Sequence, residues 1–289
     1  MNDLKYWIWL SRIDNLTPKK ILDLLNKFGE PKLIFNKTKE ELISSGIKEK
    51  DAIEILKEKY KKNLDKYLEY MHKNKIQTIT IKDKDYPQNL KQIYDAPIVL
   101  YLKGNRKLLN EKFIAMVGCR LCTSYGASTA KKIAYDLSLN NINIISGLAR
   151  GIDKYSHIGC LNAKGKTIGV LGCGLDRIYP DENKKLAEEI INNNGAIISE
   201  YVIGTKPLAK NFPRRNRIIS GISDGVVVVE AKEKSGTLIT VDFALEQGKE
   251  LYVVPGNINS QNSYGTNELI KQGAKVLTKA EDILEDLNL

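Results

Sequence analysis

The segment NFPRRNRIISG at 211–221 carries three arginines, an asparagine and a phenylalanine, and no acidic residue occurs within 201–223. Guanidinium groups bind phosphates or carboxylates through two parallel donors, and an aromatic ring can stack on a nucleobase. The segment therefore predicts either a site for a polyanion or a cluster that carboxylates elsewhere in the fold neutralise. In the second case the expected partners are Asp176, Asp224 and Glu230.

Glycine-rich turns elsewhere in the sequence favour the polyanion. They are VGCR at 117–120, SGLARGID at 146–153 and GVLGCGLD at 169–176, and KSGT at 234–237 opens a predicted helix. Glycine lets the backbone approach a ligand, and a helix N-terminus offers free N–H groups to a phosphate. Several such turns at one edge of a sheet indicate an anion site.

Short apolar runs rich in valine and isoleucine alternate with amphipathic helical segments through most of the chain. The predicted strands are 76–81, 98–102, 113–118, 142–147, 167–172, 196–200, 225–230 and 250–255. The predicted helices that connect them are 125–139, 153–163, 182–193 and 238–247. Apolar strands of this kind are buried on both faces of a parallel sheet. The sequence thus predicts an α/β fold, a Rossmann-like doubly wound, mainly parallel sheet whose ligands bind beyond the carboxyl ends of its strands.

The first part of the chain, 1–66, predicts a small all-helical domain ahead of the Rossmann-like domain at 67–289. Thr38 and Glu41 form a capping box that begins one helix, and Gly29 is suited to end another. Helix, tight turn and helix are typical of a SAM-like or helix-hairpin-helix module. A small helical bundle for protein interactions fits the same pattern.

Composition narrows the class of protein. A chain of 289 residues is long enough for one large domain or two modest ones, and its net charge of +10 favours nucleic acid or another anionic partner. No apolar run is long enough to cross a bilayer and no export leader opens the sequence. We therefore expect a cytoplasmic protein without a membrane partner.

Metal, cofactor and catalytic sites have little support in the sequence. Cys119, Cys122, His157 and Cys160 have a spacing that could suit zinc, but the first pair falls in a strand-to-helix turn and the second on a predicted helix. We expect free thiols, a structural histidine and no metal. The GCG at 172–174 lacks the third glycine of a dinucleotide fingerprint, and no Walker A loop occurs, so we expect no nucleotide cofactor.

Seven segments in order resemble the DprA/Smf family of DNA-processing proteins. They are GLARGID at 147–153, LGCGLDRIYP at 171–180, NFPRRNRIISG at 211–221, SGTLIT at 235–240, FALEQG at 243–248, VPG at 254–256 and GTNELIKQGA at 265–274. Each motif alone is unspecific, whereas their ordered combination is highly specific. The resemblance runs through nearly all of 76–289.

The resemblance implies a non-enzymatic protein that binds single-stranded DNA, delivers it to the RecA recombinase in natural transformation and forms a homodimer through its Rossmann-like domain. Resemblance and residue chemistry together predict a DNA-binding set. Its members are Gly118, Arg120, Ser146, Gly147, Arg150, Lys210, Phe212, Arg214, Arg215, Asn216, Arg217, Gly236 and Thr237. For Phe212, packing in the core stays an alternative to base stacking.

Two departures from the family pattern are visible. Cys119 stands where the family usually has serine before the arginine, so the loop backbone must supply more of the phosphate contacts. Many relatives add a C-terminal winged-helix domain, which we expect to be absent here.

The alternative function is enzymatic. A Gly-Thr turn after a valine-rich strand is similar to the LOG-type phosphoribohydrolases, whose motif Pro-Gly-Gly-x-Gly-Thr-x-x-Glu ends in a catalytic glutamate. Here Thr240 occupies the glutamate position, and 233–235 replace the Pro-Gly-Gly. General acid–base catalysis is therefore not available from that position.

Overall fold

The computed structural model describes residues 3–13, 16–59 and 64–287. The N-terminal helices are α1 (Leu4–Ser11), α2 (Pro18–Phe28), α3 (Pro31–Phe35), α4 (Lys39–Ser44), α5 (Glu49–Lys59) and α6 (Leu64–Lys73). The strands are β1 (Gln77–Thr80), β2 (Val99–Gly104), β3 (Phe113–Val117), β4 (Asn143–Ser146), β5 (Thr167–Val170), β6 (Ala196–Ser199), β7 (Gly225–Val228), β8 (Glu250–Val253) and β9 (Lys275–Val276). The remaining helices are α7 (Gln88–Lys91), α8 (Ser124–Leu139), α9 (Ile152–Asn162), α10 (Lys184–Asn192), α11 (Asn211–Ile222), α12 (Gly236–Glu246), α13 (Tyr264–Lys271) and α14 (Glu281–Asp286).

The strands form one sheet in the order β1-β2-β6-β5-β4-β3-β7-β8-β9. Neighbouring strands from β6 to β9 in this order run parallel, whereas β2 pairs antiparallel with both β1 and β6. This arrangement confirms the predicted doubly wound, mainly parallel α/β sheet. The strand order reverses between β3 and β7, and a crevice at such a reversal is where open α/β sheets bind ligands.

The central strand β3 shows why these apolar runs become buried strands. All five of its residues are buried. Phe113 and Ala115 belong to the apolar cluster on one face of the sheet, and Ile114 and Met116 belong to the cluster on the other face. This alternation is the two-residue period of a strand, and a run that is apolar at every position needs cover on both faces.

The N-terminal helices share the larger of these two apolar clusters. Trp9 and Leu10 of α1 belong to the same cluster as Leu100 and Tyr101 of β2. The Ser11 Oγ and the Tyr101 hydroxyl lie 2.8 Å apart, which adds a polar contact to the same junction. The helical nature predicted for this region is confirmed.

The predicted division into domains 1–66 and 67–289 stays a prediction. Its boundary falls inside α6. The outermost residues of both ranges, 1–2 and 288–289, lie outside the described residues.

Local signals in the sequence also hold. Thr38 and Glu41 form the predicted capping box at the start of α4, and Gly29 ends α2 with a φ of +83° that favours glycine. Among the helices in the described part of the chain, none is both long and apolar enough to cross a bilayer.

Candidate nucleic-acid interface

The arginine run forms α11, a helix that the sequence did not predict. Pro213 lies in its first turn, where the missing N–H costs no intrahelical hydrogen bond. Successive residues on a helix project about 100° apart, so neighbouring side chains of the run face different parts of the molecule. The predicted cluster is therefore divided among several environments.

One side of α11 forms a wall of a groove of about 570 Å³ beyond the carboxyl ends of β3 and β7. This main groove lies at the reversal of strand order. Its lining includes Gly118, Arg120, Tyr179, Phe212, Arg215, Asn216, Lys232, Lys234, Gly236 and Thr237. The structure thus brings together seven predicted residues from the turn after β3, from α11 and from the start of α12, namely Gly118, Arg120, Phe212, Arg215, Asn216, Gly236 and Thr237.

The rim of the main groove consists of Arg120, Lys232 and Lys234. All three residues are exposed, and within the described part of the chain none of them forms an ion pair within 4 Å. Their positive charges are therefore available to a ligand. Arg120 comes from the turn after β3, and the two lysines come from the segment after β7.

Phe212 lines the main groove and is only half-buried. The Arg120 and Arg215 guanidinium carbons lie 5.5 Å and 5.9 Å from the centre of its ring. The Tyr179 ring lies 5.5 Å away, centroid to centroid, at an angle of 42°. A Cβ atom on Gly172 would come within 2.9 Å of the Phe212 ring, so a larger residue at 172 would displace the ring from its present position. Phe212 thus packs on the protein and also presents an aromatic surface to the groove.

Arg215 and Asp153 form the floor of the main groove, and the predicted Gly147 lies behind them, outside the lining of the groove. The side chain of Arg215 donates hydrogen bonds to the carbonyl oxygens of Gly147, at 2.6 Å, and of Val170. Burial lowers the pKa of Arg215 to about 10, while the nearby Asp153 opposes that shift. Arg215 is therefore still charged at neutral pH, and only 3% of its surface is exposed.

Asp153 holds the turn that precedes α9. Its Oδ2 accepts hydrogen bonds from the backbone N–H groups of Gly147 at 3.1 Å and Ala149 at 3.3 Å. Burial raises the pKa of Asp153, against the influence of Arg215 and of these two donors. A Cβ atom on Gly147 would lie 2.6 Å from the same carboxylate oxygen, so glycine is needed at that position.

Arg217 requires a correction of the sequence prediction. Its side chain is completely buried on the side of α11 that faces away from the main groove. Two of its nitrogens donate to the two carboxylate oxygens of Glu200 at 2.8 Å each, and its Nε donates to Asp95 at 2.8 Å. Burial disfavours the charge, but the two carboxylates outweigh burial and raise the pKa of Arg217. With no exposed surface, Arg217 cannot contact DNA in this structure.

The partners of Arg217 also differ from the expected ones. Asp176 instead pairs with Arg177, with 3.1 Å between Oδ2 and Nη2. The carboxylate of Asp224 accepts a hydrogen bond from the backbone N–H of Phe113 at 3.0 Å. The Glu230 carboxylate accepts one from the backbone N–H of Thr123, also at 3.0 Å.

Ser146 and Arg150 also lie outside the main groove. Ser146 is fully buried, and its hydroxyl donates to the Met116 carbonyl oxygen at 2.6 Å, so its predicted direct DNA contact is corrected to a structural role. Arg150 is exposed and pairs with Glu182, with 2.9 Å between Nη2 and Oε2.

Lys210 and Arg214 line a separate cleft on the other side of α11. Arg214 Nη2 lies 3.6 Å from Glu200 Oε2, and 43% of the Arg214 side chain is exposed.

At the start of α12, the Ser235 hydroxyl accepts a hydrogen bond from the Thr237 backbone N–H at 3.2 Å, so a side chain of the protein caps that helix.

The sequence prediction did not include Tyr179, Lys232 and Lys234 among the site residues. Tyr179 lies in one of the segments that carry the family resemblance, and both lysines follow a predicted strand end. These two signals could have marked them. With 45 lysines and arginines in the chain, two more lysines do not stand out without the fold.

The cysteines and the histidine that could have suited zinc do not form a metal site in the described part of the chain. Within the residues that the structure describes, no group of three or more histidine, cysteine or acidic side chains could hold a metal ion. His157 Nδ1 lies 2.7 Å from Thr167 Oγ1 in the core, and burial lowers the pKa of His157 to about 3. Cys160 Sγ donates to the Lys166 carbonyl oxygen at 3.3 Å.

Comparison with known proteins gives consistent matches. A profile of the family described as DNA recombination-mediator protein A matches residues 77–288. The DNA processing protein DprA of Bacillus subtilis is 47% identical over 213 residues, which cover 73% of this chain and 71% of that protein. The X-ray structure of DNA processing protein A from Streptococcus pneumoniae has a TM-score of 0.85 and 37% identity, with 97% of each chain covered.

A second solved structure, DNA processing protein A from Helicobacter pylori, is described for its single-stranded DNA binding mode. The match has a TM-score of 0.66 and 33% identity, and it covers 73% of this chain and 95% of the Helicobacter pylori chain.

Proposed function

The chain belongs to the DNA recombination-mediator protein A family, and on that premise we propose that it binds single-stranded DNA in the main groove. The observation that carries the proposal is that cations without an ion-pair partner among the described residues lie next to aromatic rings. Arg120, Lys232 and Lys234 supply the cations, and Phe212 and Tyr179 supply the rings.

Each group in the groove has a distinct part in this proposal. The three rim cations hold phosphates, which carry no base information and therefore give binding of low sequence specificity. Phe212 and Tyr179 offer faces or edges to a splayed base, which contributes roughly 1–3 kcal/mol per stacked base. Arg215 is held on the floor by its hydrogen bonds to backbone carbonyl oxygens, and it adds a positive charge at a fixed position. A duplex hides its bases, so only a single strand can use both sets of groups.

We infer further that the bound strand is delivered to the RecA recombinase during natural transformation, in the cytoplasm, by a homodimer formed through the Rossmann-like domain. The family description and the resemblance of the motifs support this inference. Light scattering would test the dimer. Assembly of RecA on single strands coated with a single-strand binding protein, with and without this protein, would test delivery.

A non-catalytic role is part of the proposal. Thr240, at the position of the LOG glutamate, is 2% exposed on α12. Asp153 is the one acidic residue among the described lining residues of the groove, and two backbone N–H groups hold its carboxylate. Neither residue offers a free general acid or base. Release of free base from nucleoside monophosphates would overturn this part of the proposal.

A competition assay tests the central proposal. A labelled single strand is bound to the full chain and displaced by unlabelled single strand or duplex of equal length, at two salt concentrations. We expect single strand to compete far better, and log affinity to fall with log salt at roughly −0.7 per neutralised phosphate. Equal competition by duplex would contradict the proposal.

A further inference from the structure

A second cleft of about 320 Å³ lies on the opposite side of α11 from the main groove, between the N-terminal helices and the segment 200–214. The residues that characterise it are Ser11, Pro18, Tyr201, Leu208, Lys210 and Arg214. The sequence prediction included Lys210 and Arg214 in the DNA-binding set, but the proposed function of the main groove gives this cleft no role.

A ridge one chain thick separates the second cleft from the main groove. Ala209 and Phe212 line the main groove, whereas Leu208, Lys210 and Arg214 line the second cleft. The ridge is the first turn of α11 with the residues just before it. A polymer that leaves the main groove over this turn enters the second cleft after about one helix diameter, ~10–12 Å.

The exposed polar groups on the α11 side of the second cleft are cations. Lys210 is exposed and, among the described residues, forms no ion pair within 4 Å. Arg214 is 43% exposed and only 3.6 Å from Glu200, whose carboxylate is 6% exposed and has both oxygens bound by Arg217. The negative charge thus lies beneath the surface, and the ammonium and guanidinium groups face the solvent.

The opposite side of the second cleft is mainly apolar. Pro18 and Ile21 of α2 line this side and are themselves largely buried. Beside α11, Tyr201 adds a half-buried ring whose hydroxyl donates to the Asn211 carbonyl oxygen at 3.2 Å. The charge of Arg12, on the side of α2, is held by Glu58, with 3.1 Å between Nε and Oε1. A cationic lip facing an apolar wall suits a nucleotide, which has an anionic phosphate and an apolar base face.

We propose that the second cleft binds the continuation of the same DNA strand, after the strand crosses the first turn of α11. The inference rests on the proposed function of the main groove. Lys210 and Arg214 take phosphates, and the Tyr201 ring together with the apolar lining from α2 contacts sugars and bases. The N-terminal helices therefore extend the binding site, and strands that end within the main groove do not need them.

The test compares strands of two lengths on the full chain. Fluorescence anisotropy measures the affinity of short (about 6 nucleotides) and long (about 20 nucleotides) oligothymidines, one near the lower end of common single-strand site sizes and one beyond their upper end. The variant is Lys210→Ala with Arg214→Ala. The control is Lys112→Ala with Lys164→Ala, which removes the same charge from exposed positions before β3 and β5, at the opposite edge of the sheet.

We expect the Lys210/Arg214 variant to bind the long strand about tenfold more weakly, with a salt slope reduced by about 1.4, and to bind the short strand normally. The control should match the wild type on both lengths. Because Arg214 approaches Glu200, Lys210→Glu alone provides a second variant that breaks no observed ion pair. It should show the same length-dependent loss.

Equal binding of the long strand by wild type and both variants would overturn the proposed role of the second cleft. The proposed function of the main groove would be unaffected. A loss of the same size on both lengths would also overturn the role of the second cleft, because the residues would then act on the main groove. Failure of the wild type to bind even the short strand would instead contradict the proposed function itself.

Discussion

The floor and the rim of the main groove hold the same kind of charge in opposite states. On the floor, Arg215 is buried and donates to backbone carbonyl oxygens. On the side of α11 that faces away from the groove, Arg217 is likewise buried, between Glu200 and Asp95. On the rim, Arg120 is exposed and has no carboxylate partner within the described residues. Buried charges with fixed partners maintain the fold, whereas exposed charges without partners are the ones that a polyanion can neutralise.

This contrast in burial and pairing separates the basic residues that stabilise the fold from those that can bind a polyanion. Desolvating an arginine costs several kcal/mol unless its hydrogen bonds are made inside the protein, so a buried arginine is tied to its partners. An exposed cation keeps most of its hydration in the folded protein, so it needs no fixed partner. It can exchange its counterions for phosphates. The floor should therefore respond to substitution through stability, and the rim through binding.

The largest expected effect concerns the buried arginines of α11. Arg217→Ala leaves the Glu200 carboxylate buried without its bidentate partner, and we expect unfolding free energy to fall by about 3–5 kcal/mol. Urea denaturation followed by circular dichroism measures it. Arg214→Ala is the matched control from the same helix and should cost under about 1 kcal/mol. A stable Arg217→Ala protein with weakened DNA binding would reverse the assignment.

The second effect is a dependence of stability on pH from His157, which is buried in the core next to Thr167. Burial lowers the pKa of His157 from 6.5 to about 3. Between pH 6.5 and pH 3, therefore, His157 is protonated in the unfolded chain and neutral in the folded protein. Stability from this residue is full above about pH 6.5 and declines as pH falls towards 3. From pH 7 to pH 5 the loss is about 2 kcal/mol.

Urea denaturation at both pH values, on the wild type and on His157→Gln, separates this residue from the carboxylates. The variant should lose less stability than the wild type over the same interval. An identical loss in both proteins would mean that His157 does not carry the effect.

The third effect belongs to the rim. Arg120→Ala removes an exposed donor next to Phe212, and we expect single-strand binding to weaken by about 1–2 kcal/mol with little dependence on sequence. Thermal unfolding should hardly change. Arg150→Ala offers a control, since Arg150 is also an exposed arginine at a strand end but pairs with Glu182 and lies outside the groove. A larger loss of binding in the control would place the site elsewhere.

The smallest effect concerns the two rim lysines. Lys232→Ala and Lys234→Ala should each reduce the salt slope of single-strand binding by about 0.7, because each removes about one phosphate contact. Titrations at several salt concentrations measure the slope, and Lys112→Ala should leave it unchanged. Unchanged slopes in both rim variants would exclude these lysines from the contact surface.

The sequence predicted the sheet well because its signals are local and repeated. The apolar run at 113–118 and the glycine turn after it indicated both a buried strand and a ligand edge, and the structure has β3 and the main groove there. The two-residue edge strand β9 was missed because Lys275 and Val276 carry no such pattern.

The division of the arginines could not be predicted without α11 and its neighbours. Pro213 near the start of the segment concealed the helix, and without its periodicity Arg217 was not distinguishable from Arg215. The partners of Arg217 lie at Glu200 and Asp95, the latter 122 residues away along the chain. Such a distant pairing follows from the topology and not from any local pattern.

The most direct test of the account is to locate the bound strand by photocrosslinking. A short oligonucleotide carrying a photoreactive uracil is irradiated with the full chain, and crosslinked peptides are identified by mass spectrometry. We predict crosslinks at Phe212 or Tyr179, which Phe212→Leu and Tyr179→Leu should remove one at a time. Crosslinks confined to other surfaces, with none at these two rings, would contradict the claim that the main groove binds single-stranded DNA.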